Sequence, residues 1–546
     1  MRPSAPRAVA VVAIAAATLK AFALPHVFGF VPLGLYGTDY QFLAEGAHRI
    51  ALGQTPHVDF SAPIGALTFW LVALARRLPW LGPDLFAANA LAWLLLAGPL
   101  AIVAARLPPW RALLLVATAA LCVLSPFDLE LAAELCDVNH NGVYNRYGAA
   151  FLLVTFASGF APPGRVRVDA PLYAWLLGAM LLLKVNYALA GGAFLALACV
   201  FSGRRLMSCA AALGLLALGA LLLQLATGIP AAYARDLAGM ARLNAGNALP
   251  FLVGFASSQL PLLAIAVAII AGLTLPRVAG AVAAARQRAW RAFLADAEAP
   301  VLAAAVVFLT LWTESQSTGG AGLVAWSALA LVPGPRTRWA LGAVAAVVAL
   351  TAGAYAEQTI RRGRCVAAQI EAYRAHPALA SLGRDVRAPE RRLAEAEALA
   401  QLWRDDRRFA EEIYNRRINF GLESYGAAIP FVAMALLAEE AAAAVRARGL
   451  VLRHVTTLDV IDGFTPRLGL EPARGLKLFL DPYRTIGPLS ADEASRYLAP
   501  VDGVFERTCA APDHVRWIAD TFRPVLAEEF EPVVLTPCWT LHRRRS

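Results

Sequence analysis

Between Gly37 and Gly65 the chain reads GTDYQFLAEGAHRIALGQTPHVDFSAPIG, and this stretch holds Asp39, Glu45 and Asp59 together with His48, Arg49 and His57. A carboxylate can take the proton from an attacking hydroxyl, and a cation can hold the anionic group that leaves. Both halves of a group-transfer site therefore occur within one short segment. A second cluster, CDVNHNGVYNRYG from Cys136 to Gly148, crowds Asp137, Asn139, His140, Asn141, Asn145 and Arg146 together. Amides beside an acid and an imidazole suit the hydroxyls of a sugar, and the Arg146 guanidinium suits a phosphate. Asp137 and His140 are spaced as a metal pair, but two ligands do not define a metal site, so a divalent cation and protein cations remain alternatives at the phosphate. Lys184, with Asn186 and Tyr187, lies between two apolar runs, where its ammonium can meet a lipid phosphate or snorkel to the surface.

Each residue also has a plainer use. Asp39 can cap a helix that starts at Tyr40, and Asp59 can open a turn before Pro63. The Asn- and Gly-rich second cluster can be a turn anchored by arginine. Glu314, in TESQSTGG, reads most simply as a solvated loop acid. No Walker A loop, GxGxxG, HExxH or GxSxG motif is present.

The elements that must position these groups follow from composition. Of 546 residues, 59% are hydrophobic and only 16% charged, against roughly 25% charged in a soluble chain. The deficit is confined to residues 1–356, where apolar runs alternate with short charged connectors; 357–546 has ordinary amphipathic patterning. Spans are expected at 8–31, 84–105, 112–127, 147–161, 171–184, 187–203, 207–228, 250–275, 299–313, 321–334 and 338–356, about eleven in all. The first is too long for a signal-peptide core and is read as retained. The stretch Pro63 to Leu74 is short and is expected to lie on the membrane surface.

The net charge of +10 is nearly all arginine, since lysine occurs only at Lys20, Lys184 and Lys477. Arg106, Arg111, Arg165, Arg167, Arg204, Arg205, Arg277, Arg286, Arg288, Arg291, Arg336 and Arg338 fall in alternate connectors, which puts the N-terminus in the cytoplasm and nucleic acid outside consideration. Arg76 and Arg77 run against that pattern unless 63–78 crosses the bilayer. The preferred topology leaves loops 32–62 and 128–146 outside, with 357–546 as a periplasmic mixed α/β domain. Helices are expected there at 389–418 and 427–447, and strands at 450–459, 476–480, 503–507 and 533–541. Cys509 and Cys538 can pair in such a compartment or remain buried thiols.

Asp39, a helix, the Gly53 to Asp59 stretch and Pro63-Ile64 together resemble the GT-C class of membrane glycosyltransferases. The likeness is greatest to the bacterial branch near the lipid A aminoarabinose transferases and protein O-mannosyltransferases. In those families an acid opens the first extracytoplasmic loop, and a Gly-x-x-Pro-aromatic-x-Asp stretch precedes a Pro-Leu-like segment. His57 stands where the family has the aromatic, and Tyr40 where it often has a second acid; Asp137 corresponds loosely to a later extracytoplasmic acid. The resemblance implies a polytopic α-helical membrane protein of the bacterial inner membrane, a polyprenyl-phosphate sugar donor and inverting transfer. It also implies an envelope acceptor such as lipid A, a polysaccharide or a protein. Asp39 and Asp59 are then the expected catalytic carboxylates. His57, Asp137, His140, Asn145, Arg146 and Lys184 are the expected substrate contacts. The competing reading is an envelope lipid or polysaccharide transporter without covalent chemistry. Transporters favour midplane charges and repeated halves, whereas most acids here fall in loops and no repeat is found.

Overall fold

The computed structural model describes residues 5–33, 37–125, 142–316, 321–332, 353, 357–383, 385–406, 408–409, 412, 428–509 and 511–545. Asp137, His140 and most of the expected 338–356 span lie outside them. The described chain is mostly helical. Apolar runs in lipid must satisfy their own backbone groups, which a helix does within one segment. The sequence of elements is α1 (Ala5–Phe28), β1 (Val31–Pro32), α2 (Gly37–Ala51), α3 (Ala66–Arg77), α4 (Asp84–Ala104), α5 (Pro109–Leu124), α6 (Val143–Phe160), α7 (Val166–Leu183) and α8 (Val185–Val200). There follow α9 (Gly203–Thr227), α10 (Ile229–Asn244), α11 (Ala248–Ser258), α12 (Leu260–Arg286), α13 (Trp290–Ser315) and α14 (Ala321–Leu331).

By length and composition, α4, α7, α9, α13 and the Ala8–Phe28 part of α1 are able to cross a membrane. Leu249–Ser258 and Leu263–Gly272, expected as one span, form a pair bent by 84° that together meets the same criterion. The expected spans 171–184 and 187–203 are separate helices, because Lys184 between them is extended (φ −164°, ψ 125°). Gly148 has no room for a side chain against the Tyr187 ring, so α6 and α8 pack closely just below that break.

Helix α3 is 12 residues long, about 18 Å, too short to span. Its C-terminal Arg76 is a hub. Nε binds Asp84 at 2.9 Å, Nη1 binds the Ala44 carbonyl at 3.0 Å and Nη2 binds the Leu382 carbonyl at 3.0 Å. Tyr40 donates to the same Asp84 carboxylate at 3.0 Å. One guanidinium thus joins α2, the start of α4 and the C-terminal region, and Arg76 lies at the end of the bundle that carries that region. The other end of α4 leads to Arg106, which pairs with Asp169 at 2.6 Å. Near it, Arg205 pairs with Glu298 at 2.5 Å and donates to the Ala161 carbonyl at 3.2 Å, while Arg111 donates to the Val332 carbonyl at 3.1 Å. Of the connector arginines singled out in the sequence, Arg106, Arg111 and Arg205 are held at this second end.

In the C-terminal region β2 (Tyr373–Arg374) and β3 (Val386–Pro389) form a small sheet with β1, ordered β1-β3-β2. Val31 and Pro32 pair in parallel with Val386 and Arg387. Helices α15 (Glu390–Asp405) and α16 (Ala428–Ala447) follow, then β4 (Val455–Thr457), α17 (Thr465–Leu468), α18 (Ala491–Leu498), β5 (Gly503–Arg507), α19 (Asp513–Glu529), β6 (Phe530–Thr536) and β7 (Trp539–Arg544). The second sheet is ordered β4-β5-β7-β6. Its core stacks Phe464 on Phe505 at 3.7 Å, with Trp539 edge-on at 4.8 Å. Cys509 and Cys538 form a disulfide with a Cα separation of 4.7 Å. The expected strand 533–541 is a hairpin, β6 and β7, turning at Pro537 and Cys538. The expected strand 476–480 joins no sheet; its Lys477 bridges in parallel to Ser61 of the first loop.

Candidate functional site

Four segments converge at the end of the bundle that carries the C-terminal region: the start of α2, the start of α6, the break between α7 and α8, and the turn from Asp481 to Ile486. Asp39 lies in the first turn of α2. Its Oδ2 accepts a 2.6 Å hydrogen bond from the backbone N–H of Gly142. Gly142 is the N-cap of α6 and has left-handed backbone angles (φ 55°, ψ 33°), a conformation open to glycine. The carboxylate therefore sits at the positive end of a neighbouring helix, where unpaired amides and the helix dipole favour negative charge.

Two residues on from that cap, the Tyr144 ring lies 5.5 Å from the Lys184 ammonium, and Asn145 Oδ1 accepts from Lys184 Nζ at 3.2 Å. Lys184 is within electrostatic reach of Asp39, Glu314 and Arg484. Tyr144 is within reach of Asp39, Asp481 and Arg484. The floor beside them is aromatic: Phe42 packs edge-on to Phe69 at 5.2 Å, to Phe479 at 5.4 Å and to Tyr144 at 6.4 Å. Arg484 is tied to Asp481 at 3.0 Å, and its carbonyl accepts from Asn244 of α10 at 3.2 Å. Burial pushes the Asp481 carboxyl above its usual range, opposed by the Arg484 guanidinium. Two acids, Asp39 and Asp481, and two cations, Lys184 and Arg484, thus share a polar junction at the mouth of an apolar bundle.

The remaining expected site residues divide. His57 is buried, with a left-handed backbone (φ 66°); Nδ1 meets Asp236 of α10 at 2.8 Å and the ring packs on Tyr233 at 4.3 Å. Asp59 closes a turn by accepting from the Thr55 N–H at 2.7 Å, and it pairs with Arg474 at 3.0 Å. Its carbonyl accepts from the Gly475 N–H at 2.6 Å, so both ends of the residue hold the C-terminal region to the first loop. Arg146 points into the bundle and donates to the Ser125 carbonyl at 2.8 Å. Asp137 and His140 are not among the described residues. Sequence reasoning missed Tyr144, Asp481 and Arg484 at the junction, and Asp236 beside His57, each of which looks like an ordinary residue of a helix or turn until the fold places it. Among the described residues, no group of three or more His, Cys, Asp or Glu side chains is arranged to hold a metal ion.

No family model matches the chain, and no curated protein matches its sequence. Among solved structures, the chain is similar to ArnT from Cupriavidus metallidurans, crystallised with undecaprenyl phosphate bound. The two share 14% sequence identity with a TM-score of 0.43, over 97% of this chain and 97% of that one.

Proposed function

We propose that this protein transfers a sugar from a polyprenyl-phosphate donor to a cell-envelope acceptor at the outer face of the bacterial cytoplasmic membrane. The observation that carries the reading is the Asp39 carboxylate held on the N-terminus of α6 with the Lys184 ammonium in its field. A donor of this class keeps its tail in lipid and its phosphate and sugar at the surface, where these groups lie. The acceptor hydroxyl gives its proton to Asp39 as its oxygen attacks the anomeric carbon. The bond from that carbon to the donor phosphate breaks, its electron pair leaves with the phosphate, and the configuration inverts. Lys184 and Arg484 neutralise the departing phosphate, and Asn145 holds Lys184 in place.

On this reading residues 1–356 form the GT-C-like catalytic region and 357–546 a periplasmic domain, with the N-terminus cytoplasmic. Arg106, Arg111 and Arg205 at the second end support that orientation, since arginines are retained on the cytoplasmic side. Asp59 is assigned to holding the first loop against the periplasmic domain. His57, expected as a substrate contact, is assigned instead to anchoring the first loop against α10. The test is transfer of a radiolabelled sugar from a synthetic polyprenyl-phosphate donor to an envelope extract by the purified protein in vesicles. Covalently labelled product is the expected result. Movement of labelled lipid across the bilayer without any labelled product would overturn the proposal in favour of a transporter.

A further inference from the structure

Beside Arg484, the turn from Asp481 to Ile486 carries an aromatic pair that the chemistry above does not use. Tyr483 is 51% exposed, and its backbone is left-handed (φ 62°) although it is not glycine. That conformation carries the side chain onto Trp517 of α19. The ring centroids are 5.1 Å apart with planes at 48°, and Trp517 Nε1 donates to Tyr483 Oη at 3.1 Å. The turn is held from several sides. The Asp481 N–H donates to Thr485 Oγ1 at 2.7 Å, the Tyr483 N–H donates to the Ile486 carbonyl at 2.7 Å, and Asn244 holds the Arg484 carbonyl. Two amphipathic rings are thus fixed in one ledge, with a carboxylate and a guanidinium at its edge.

A pyranose matches such a ledge. One face of the ring presents C–H groups that lie on an aromatic surface, while its rim of hydroxyls needs paired donors and acceptors of the kind Asp481 and Arg484 supply. Arg484 also lies in electrostatic reach of Lys184 and Tyr144. We infer that Tyr483 and Trp517, with Asp481 and Arg484, form a binding ledge for a saccharide, which on the proposed reaction belongs to the acceptor. The inference rests on the proposed transfer reaction for its biological sense, but the binding itself is measurable without transfer.

The experiment is saturation-transfer NMR on the full-length protein in detergent with soluble glucosamine, galactose and mannose disaccharides, comparing wild type, Tyr483→Ala, Trp517→Ala and Tyr483→Phe. Ring-proton saturation of at least one disaccharide is expected with wild type. Binding should weaken at least tenfold in both alanine variants and stay within about threefold of wild type in Tyr483→Phe, which keeps the ring. Thermal unfolding of each variant separates a lost ledge from a lost fold. No signal from any disaccharide, or equal signal in the correctly folded alanine variants, overturns the ledge whatever the transfer assay shows. Ledge binding without any sugar transfer by wild type overturns the enzymatic reading and leaves a glycan-binding protein.

Discussion

The Asp39 carboxylate caps the N-terminus of a helix to which it does not belong: its Oδ2 lies 2.6 Å from the backbone nitrogen of Gly142, 103 residues further along the chain. The sequence offered Asp39 as the cap of its own helix from Tyr40 or as a base. That helix starts instead at Gly37 with Asp39 in its first turn, and the capping of α6 leaves the reading as a base open to test. The cap fixes where the carboxylate sits, beside the positive end of α6.

Replacing Asp39 by Asn tests the base directly. Asparagine keeps an acceptor oxygen for the Gly142 N–H and loses the ability to take up a proton. Transfer should fall by about a hundred- to ten-thousandfold, while insertion and thermal stability stay close to wild type. Substantial transfer by a correctly folded Asp39→Asn protein would remove the central assignment.

Lys184 should act on the leaving phosphate. Changing it to Met keeps much of the stem packed beside Tyr144 and removes the charge. We expect kcat to drop by about a hundredfold, and a Lys184→Arg variant to recover part of the loss. If Lys184 only snorkels to the surface, both variants will turn over donor at the wild-type rate.

That Asp39, Asn145 and Lys184 are candidates was legible in the sequence, because a polar group beside apolar runs demands a reason; that they lie together comes from the fold. The helix expected from Tyr40 starts three residues earlier, at Gly37, while the break at Lys184 and the shortness of α3 followed from the lengths of the apolar runs. Asp481, Arg484 and Asp236 were not, since charged residues in a turn or on an amphipathic helix are usually solvated and carry no mark of what they face. The 476–480 segment has the apolar alternation of a strand, but its partner is Ser61, more than 400 residues earlier, and periodicity carries no information about partners. The 533–541 stretch hid its turn because Val533 to Leu535 and Trp539 to Leu541 read as one apolar run across Pro537.

Glu45 makes docking of the C-terminal region sensitive to pH. It sits on α2 in a buried pair with Arg49 at 2.9 Å, and Arg49 also donates to the Ala473 carbonyl at 2.9 Å. Burial raises the Glu45 carboxyl to about 7; Arg49 opposes the shift and Asp462 adds to it. A folded pKa above the unfolded 4.5 means that the folded state holds the proton more tightly. The resulting stabilisation is complete below 4.5 and is lost as pH rises through about 7. Melting temperature in detergent should therefore decline from pH 5 to pH 8, and Glu45→Gln should flatten that decline because glutamine does not titrate. An unchanged slope in the variant would assign the pH dependence elsewhere.

Arg76 ties three segments by three separate bonds. Its removal strands the largely buried Asp84 carboxylate and the Ala44 and Leu382 carbonyls. Arg76→Ala should cost about 3 kcal/mol, seen as a lower melting temperature and earlier proteolysis between Tyr373 and Pro389. Arg76→Lys should recover little, because an ammonium cannot span the fork of partners that the guanidinium reaches. Tyr40→Phe, which deletes one bond to Asp84, should cost about 1 kcal/mol.

Sidedness decides whether a lipid-linked donor can reach Asp39 from outside the cell. Bonds from Arg76 to Leu382 and from Asp59 to Arg474 put the first loop and the C-terminal region at one end of the bundle, whereas Arg106, Asp169 and Arg205 gather at the other. A single cysteine at the 81% exposed Val451 and another at Arg204 report these two ends, in a background where the free Cys122, Cys199 and Cys209 are replaced by alanine. In intact spheroplasts a membrane-impermeant maleimide should label Val451→Cys at once and Arg204→Cys only after lysis. The opposite order would put Asp39 and Lys184 on the cytoplasmic face, where periplasmic acceptors are out of reach, and the proposed reaction would have to be abandoned.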